Sequence, residues 1–145
     1  MRHNALFRLC LLVIGLMVLL SGCGQTAAGK GNTGGSEKPE SVTIEVERPG
    51  PGQPRQRVTL HDVRSVQQLY TTIYALPQMP ANIACTKELG PHYTLTFIQN
   101  QKTLTTVNAR REGCRPVIIA GETNERRGSQ DFWTQLDQAI QQAAP

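Results

Sequence analysis

Polar and apolar residues alternate strictly along Val42-Thr43-Ile44-Glu45-Val46-Glu47, so Val42, Ile44 and Val46 share one face of a half-buried strand. The run Pro49-Gly50-Pro51-Gly52-Gln53-Pro54 breaks it, because proline cannot donate to a ladder. Gln56 to Leu60 then supplies a short hairpin partner. Val63, Val66, Leu69, Tyr70, Ile73 and Leu76 recur at helical spacing and predict a helix over Val63 to Ala75. Asp62 is its N-cap candidate and Pro77 ends it, leaving Leu76-Pro77-Gln78-Met79-Pro80 extended or turn-like. Alternation returns at Tyr93-Thr94-Leu95-Thr96-Phe97; Asn100-Gln101 fits a turn, and Lys102 to Ala109 makes the returning strand. Pro116 to Ala120 is apolar throughout, as an inner strand is, and Gly121 to Gly128 is a charged loop. Ser129 can cap a last helix with Phe132, Trp133, Leu136, Ile140 and Ala143 on one side. The order ββαβββα predicts an α+β fold, an antiparallel sheet of about five strands with two helices on one face.

Ahead of this domain the pattern changes. Leu9 to Leu20 is a continuous apolar run, preceded by Arg2 and Arg8 and by no acid. A spanning helix needs about 20 such residues, so the run has the length of an export signal instead. Leu20-Ser21-Gly22-Cys23 follows, two small residues before a cysteine, and in this context it resembles the lipobox of bacterial lipoproteins. The resemblance implies that residues 1–22 are a signal peptide and are removed. It implies that Cys23 carries a thioether-linked diacylglyceryl group with further acylation such as palmitate. The protein is then expected on the extracytoplasmic face of the cell membrane. Each buried methylene contributes about 0.8 kcal/mol, so two or three chains anchor durably where one does not. Residues 23–41 contain no large apolar side chain and read as a flexible tether, with an r.m.s. span of about 23 Å. Residues 42–145 are left as one domain.

Aromatic residues make up 5% of the chain, so the core leans on Val, Ile and Leu. Of the four cysteines, Cys10 leaves with the leader and Cys23 is taken by lipid. Cys85 and Cys114 remain, and an exported location with an even count favours a disulfide between them. Two free buried thiols are the alternative. A redox pair lacks the C-x-x-C spacing, and a metal site lacks further ligands, so neither a metal nor another cofactor is expected. Arg110, Arg111 and Arg115 flank Cys114, and Arg126 and Arg127 lie in the last loop. Together they are a candidate basic patch for lipid headgroups, an anionic wall polymer or an acidic envelope protein. Glu112, Glu122 and Glu125 interrupt it. Without Arg2 and Arg8, 13 basic residues face 11 acidic ones, too even a balance for a dedicated polyanion binder. Nucleic acid is not an expected partner of an exported domain with so few aromatics.

No catalytic constellation stands out. His61 and His92 flank a helix start and a strand start. Ser65, His61 and Asp62 lie too close in sequence to converge as a triad, and no nucleophile elbow is present. Asp131 and Asp137 fall on different faces of the last helix, and no phosphate loop occurs.

The pattern Leu69-Tyr70, Leu76-Pro77-Gln78-Met79-Pro80, Cys85, Tyr93-Thr94-Leu95-Thr96-Phe97, Gly113-Cys114 and Phe132-Trp133-Thr134-Gln135-Leu136 resembles lipoproteins and secreted proteins of Gram-positive bacteria. It spans Val58 to Ile140, includes both remaining cysteines, and brings no assigned activity. The expected function is therefore a membrane-anchored, non-enzymatic binding or envelope-accessory domain. A surface-presented enzyme inhibitor, using the proline-bracketed Leu76 to Pro80 loop, is the second expectation. A small hydrolytic enzyme is the third.

Overall fold

Period-two alternation builds the sheet where it was expected and one strand more. A computed structural model describes residues 38–144; the leader, Cys23 and the tether up to residue 37 lie outside the described residues. The elements are β1 (Ser41–Glu47), β2 (Gln56–Leu60), α1 (Val63–Ala75), β3 (His92–Gln99), β4 (Lys102–Arg110), β5 (Pro116–Ile119), β6 (Arg126–Arg127) and α2 (Gln130–Ala143). All pairings are antiparallel, in the order β2-β1-β3-β4-β5-β6, so the fold is α+β. The sixth strand falls inside the stretch expected to be a charged loop. It is two residues long and pairs Arg126 and Arg127 with Val117 and Pro116. Two arginines carry no alternation, so only the long-range pairing identifies it.

One face of the sheet is the core. Val42, Ile44, Val46, Leu95, Phe97, Val107, Val117 and Ile119 are at most 2% exposed and form one cluster with the apolar stripes of both helices. From α1 come Val66, Leu69, Tyr70 and Ile73; from α2 come Phe132, Trp133, Leu136 and Ala139. The two aromatics of α2 are wholly buried and pack edge-on, with ring centroids 4.7 Å apart. The opposite face has short polar side chains in rows. Thr59, Thr43, Thr96 and Thr106 are cross-strand partners over four strands, and Arg57 pairs with Glu45 at 2.8 Å. An antiparallel sheet solvated on one side has this composition.

The helices start as their caps dictate. The Asp62 carboxylate accepts from the Ser65 amide at 2.9 Å, and the Ser129 hydroxyl accepts from the Phe132 amide at 3.2 Å. The Ser65 hydrogen bonds hold the Asp62 carboxyl below its usual range. Its capping contribution is therefore complete above the unfolded aspartate range and fades as pH falls through the lowered value.

The direction of β1 divides the sheet into two ends. The chain enters at Glu40, whose amide donates to the Ile98 carbonyl at 2.8 Å and whose carboxylate accepts from the Asn100 amide at 3.2 Å. This near end holds the β3–β4 turn, with Asn100 and Gln101 both at positive φ. Ser41 pairs with Ile98 there, and Glu47 pairs with His92 at the far end. Seven residues of strand separate the two ends by about 20 Å.

Candidate functional site

The far end of the sheet is where the unassigned features gather. β3 and β4 stay paired up to His92 and Arg110. Beyond them the chain of residues 85–91 runs beside the corner 111–114, held at two places. Cys85 is joined to Cys114 by a disulfide, with Cα atoms 5.0 Å apart. At the other end the Arg111 amide donates to the Pro91 carbonyl at 3.1 Å, and the Gly90 amide donates to the Glu112 carboxylate at 3.4 Å. Gly90 is buried because it packs directly on the Arg111 carbonyl, which a Cβ would strike. Gly113, at φ 53°, lies against the Thr86 carbonyl, where a Cβ would come within 2.7 Å.

Between those fixings, with Thr86 held against Gly113 and Gly90 against Arg111, the exposed residues Lys87, Glu88 and Leu89 form a ridge over the corner. Cys85 to Leu89 are all exposed, and no turn or bend interrupts Ile83 to Pro91. Leu89 is 86% exposed, and among the described residues only Val63, at 45%, is a comparable exposed large apolar side chain. A cleft of about 210 Å³ borders the stretch from Cys85 to Glu88, lined also by Met79, Arg110, Pro116 and Glu125. A second, of about 380 Å³, borders Leu89 and Gly90 and is lined also by Glu47, Arg48, Pro49 and Gly50 at the start of the β1–β2 loop. Glu112 anchors the floor between them: it accepts from Gly90 and also meets His92 Nε2 at 3.1 Å.

The five arginines of the candidate patch have different fates. Arg111 makes two parallel hydrogen bonds to Asp137, at 2.8 and 2.9 Å, and lies over the Trp133 ring at 5.4 Å. The Asp137 bond is the main reason its guanidinium is held even more firmly protonated than usual, with Tyr93 adding to it and burial opposing. Arg126 is deeper still, its side chain 13% exposed. It makes two hydrogen bonds to Glu122, each 3.0 Å, and donates to the carbonyls of Tyr74 and Leu76 at 2.7 and 3.1 Å. Both guanidiniums are thus engaged in fastening helices to the sheet. Arg110, Arg115 and Arg127 remain at the surface, and Arg110 shares its cleft with Glu88, Glu112 and Glu125. The sign of the surface is mixed.

The Leu76 to Pro80 segment, expected to be extended or turn-like, is tied to the last loop. The Met79 amide donates to Glu125, the Arg127 amide donates to Pro77, and Gln78 bridges to Arg126, so the segment prolongs the edge of the sheet. Leu76 is 5% exposed. Asp62 is committed to its cap, Asp131 is exposed in the first turn of α2, and Asp137 is committed to Arg111. His61 is exposed. Among the described residues no group of three or more His, Cys, Asp or Glu is placed to hold a metal ion, and no helix is long and apolar enough to cross a membrane.

The ridge itself went unread in the sequence. Its only signal is a lone leucine in a polar run, Thr86-Lys87-Glu88-Leu89, between a cysteine and Gly90-Pro91.

The disulfide closes a separation of 29 residues, for which the loop-entropy relation gives about 3.5 kcal/mol. Replacing both Cys85 and Cys114 with serine is expected to lower the unfolding free energy by that amount, seen as a lower urea midpoint with a slope no smaller than the parent's, because the released unfolded chain exposes more surface. An unshifted midpoint would show that the crosslink does not restrain the unfolded chain. No family model, curated protein or solved structure matches the chain.

Proposed function

We propose that this chain is a lipid-anchored, extracytoplasmic binding domain that recognises its partner through the ridge at the far end of the sheet and performs no catalysis itself. The observation that carries the reading is the placement of the ridge. The chain enters β1 beside Ile98 and Asn100, whereas Lys87 to Leu89 project beyond His92, a full strand length away. Glu40, where the chain reaches its first strand, is thus at the opposite end of the sheet from the ridge. An 86% exposed leucine on a backbone fastened at both sides fits recognition better than it fits a solvated loop. The lipobox-like Leu20-Ser21-Gly22-Cys23 supports the anchoring half of the proposal.

Cell fractionation tests that half. Cys23→Ala is expected to leave an uncleaved precursor or to release the protein from the membrane. A normally cleaved product that stays in the membrane fraction would contradict it. The recognition half is read by photocrosslinking from position 89 in intact cells.

The basic-patch alternative, an anionic wall polymer, has less support. Arg111 and Arg126 are turned inward to carboxylates, and glutamates interleave with the cations that remain.

A further inference from the structure

The sheet has two edges, and the backbone of only one of them is bonded. We infer that the other edge, β2, is an interface between copies of this chain: two protomers pair their β2 strands antiparallel about Val58 and join their sheets into one.

Along an antiparallel strand, successive residues turn their amide and carbonyl to one neighbour and then to the other. The Arg111 amide donates to the Pro91 carbonyl, so Tyr93, Leu95 and Phe97 turn to β4, and His92, Thr94 and Thr96 turn to β1. The Ala120 amide, donating to the Thr106 carbonyl, agrees, since it turns Thr106 to β5. Carried across the registers, Thr43 and Glu45 turn to β3, and Val42, Ile44 and Val46 turn to β2. Their partners Leu60, Val58 and Gln56 turn back to β1, which leaves the amides and carbonyls of Arg57 and Thr59 directed away from the sheet. Among the described residues no backbone bond reaches them. At the opposite edge the equivalent groups of β6 are occupied: the Glu125 carbonyl accepts from Met79, and the Arg127 amide donates to Pro77.

Edges that stay unpaired are commonly guarded by a proline, a bulge or a lysine. β2 reads Gln56-Arg57-Val58-Thr59-Leu60 and pairs with β1 in unbroken register. Its one charge is drawn back over the sheet face to Glu45 at 2.8 Å. A second copy fits because this edge is complementary to itself. With the two Val58 residues opposite each other, each Arg57 faces Thr59 of the other copy, and the two pairs exchange four backbone hydrogen bonds. On the core side two β-branched side chains then meet across the join. The neighbouring symmetric registers fit less well. Centring on Arg57 sets the two guanidiniums against each other. Centring on Thr59 sets each Arg57 against His61, which lies beyond the end of the strand. The antiparallel join places the two ridges at opposite ends of the combined sheet. Four bonds make a small interface, so the pairing is expected to depend on concentration.

The test uses the full chain, purified in detergent, with two readouts. Light scattering, corrected for bound detergent, should show the protein mass doubling between about 10 µM and about 1 mM, the range of a small interface. Amide hydrogen exchange of Arg57 and Thr59 should slow about tenfold or more over the same range, while the other β2 amides do not change. Thr59→Pro removes an amide hydrogen that β1 does not use, so it should melt close to the parent and remain a monomer. Thr59→Val keeps that hydrogen and should dimerise as the parent does. A monomer at every concentration, with Arg57 and Thr59 exchanging freely, would overturn the inference. So would a dimer that survives Thr59→Pro, since it would form through the lipid or another surface. The exchange readout is made on the parent and decides the question whether or not the proline variant folds. None of these outcomes depends on Leu89, so this inference and the ridge reading fail separately.

Discussion

Trp133→Ala is expected to destabilise the domain by about 4 kcal/mol, the upper range for deleting a buried aromatic from a packed core. The indole has no exposed surface and is one of the largest side chains in the core. Its neighbours come from every part of the fold. Phe132 lies at 4.7 Å, Tyr93 of β3 at 5.9 Å, and the Arg111 guanidinium over the ring at 5.4 Å. Gly128 packs so closely that a Cβ there would fall 2.7 Å from the ring. These neighbours belong to a strand, a corner, a turn and a helix, so they cannot collapse together into the space left by alanine. The indole Nε1 is buried without a hydrogen-bond partner. Trp133→Phe therefore breaks no hydrogen bond and should cost only about 1–2 kcal/mol, from lost volume alone. Urea titration of the two variants decides between volume and hydrogen bonding. Equal losses for Phe and Ala would mean that a hidden polar contact, not packing, fixes the tryptophan.

Arg126→Met is expected to have nearly as large an effect, about 3 kcal/mol, because it removes two charged hydrogen bonds from a carboxylate that is 9% exposed and the donors to two α1 carbonyls. The guanidinium does two jobs. It pairs with Glu122 inside its own loop, and it donates to the Tyr74 and Leu76 carbonyls, which α1 leaves open at its C-terminal end. The side chain also lies over the Tyr74 ring at 5.8 Å. Adding Glu122→Gln to the variant should recover part of the loss, since it removes a negative charge that Arg126 no longer offsets. The double variant will stay below the parent because the α1 carbonyls remain uncapped. Recovery of nothing would show that the helix carbonyls, not the ion pair, account for the arginine's contribution.

The sequence disclosed those parts of the fold that depend on local pattern. Val42, Ile44 and Val46 declare a half-buried strand by themselves, and Asp62 and Ser129 mark helix starts that need only the next turn to work. Phe132 and Trp133 sit at helical spacing with Leu136, which is sufficient to place them in the core. What stayed hidden depends on distant partners. Arg126 reads as a surface charge until the strand pairing with Val117 carries it beneath the end of α1. Leu76 to Pro80 reads only as an extended or turn-like, proline-bracketed stretch until Glu125 and Arg127 make it part of the sheet edge. A proline removes one donor, but the carbonyl of Pro77 and the amide of Met79 still bond. The ridge was the least legible feature. Its prominence comes from a mismatch in length between residues 86–90 and residues 112–113, and no window of sequence contains both.

That mismatch also links fold to function. The disulfide and the Gly90 contacts leave three exposed residues over the corner, and the apolar one among them is 86% exposed. Position-specific photocrosslinking in intact cells is the most direct measurement of whether this end of the domain is the recognition surface. A photoreactive residue placed at Leu89 should yield a discrete adduct, and one placed at Gln101, at the near end beside the chain's point of arrival, should yield none. Equal adducts from both positions, or an adduct from Gln101 alone, would contradict the account.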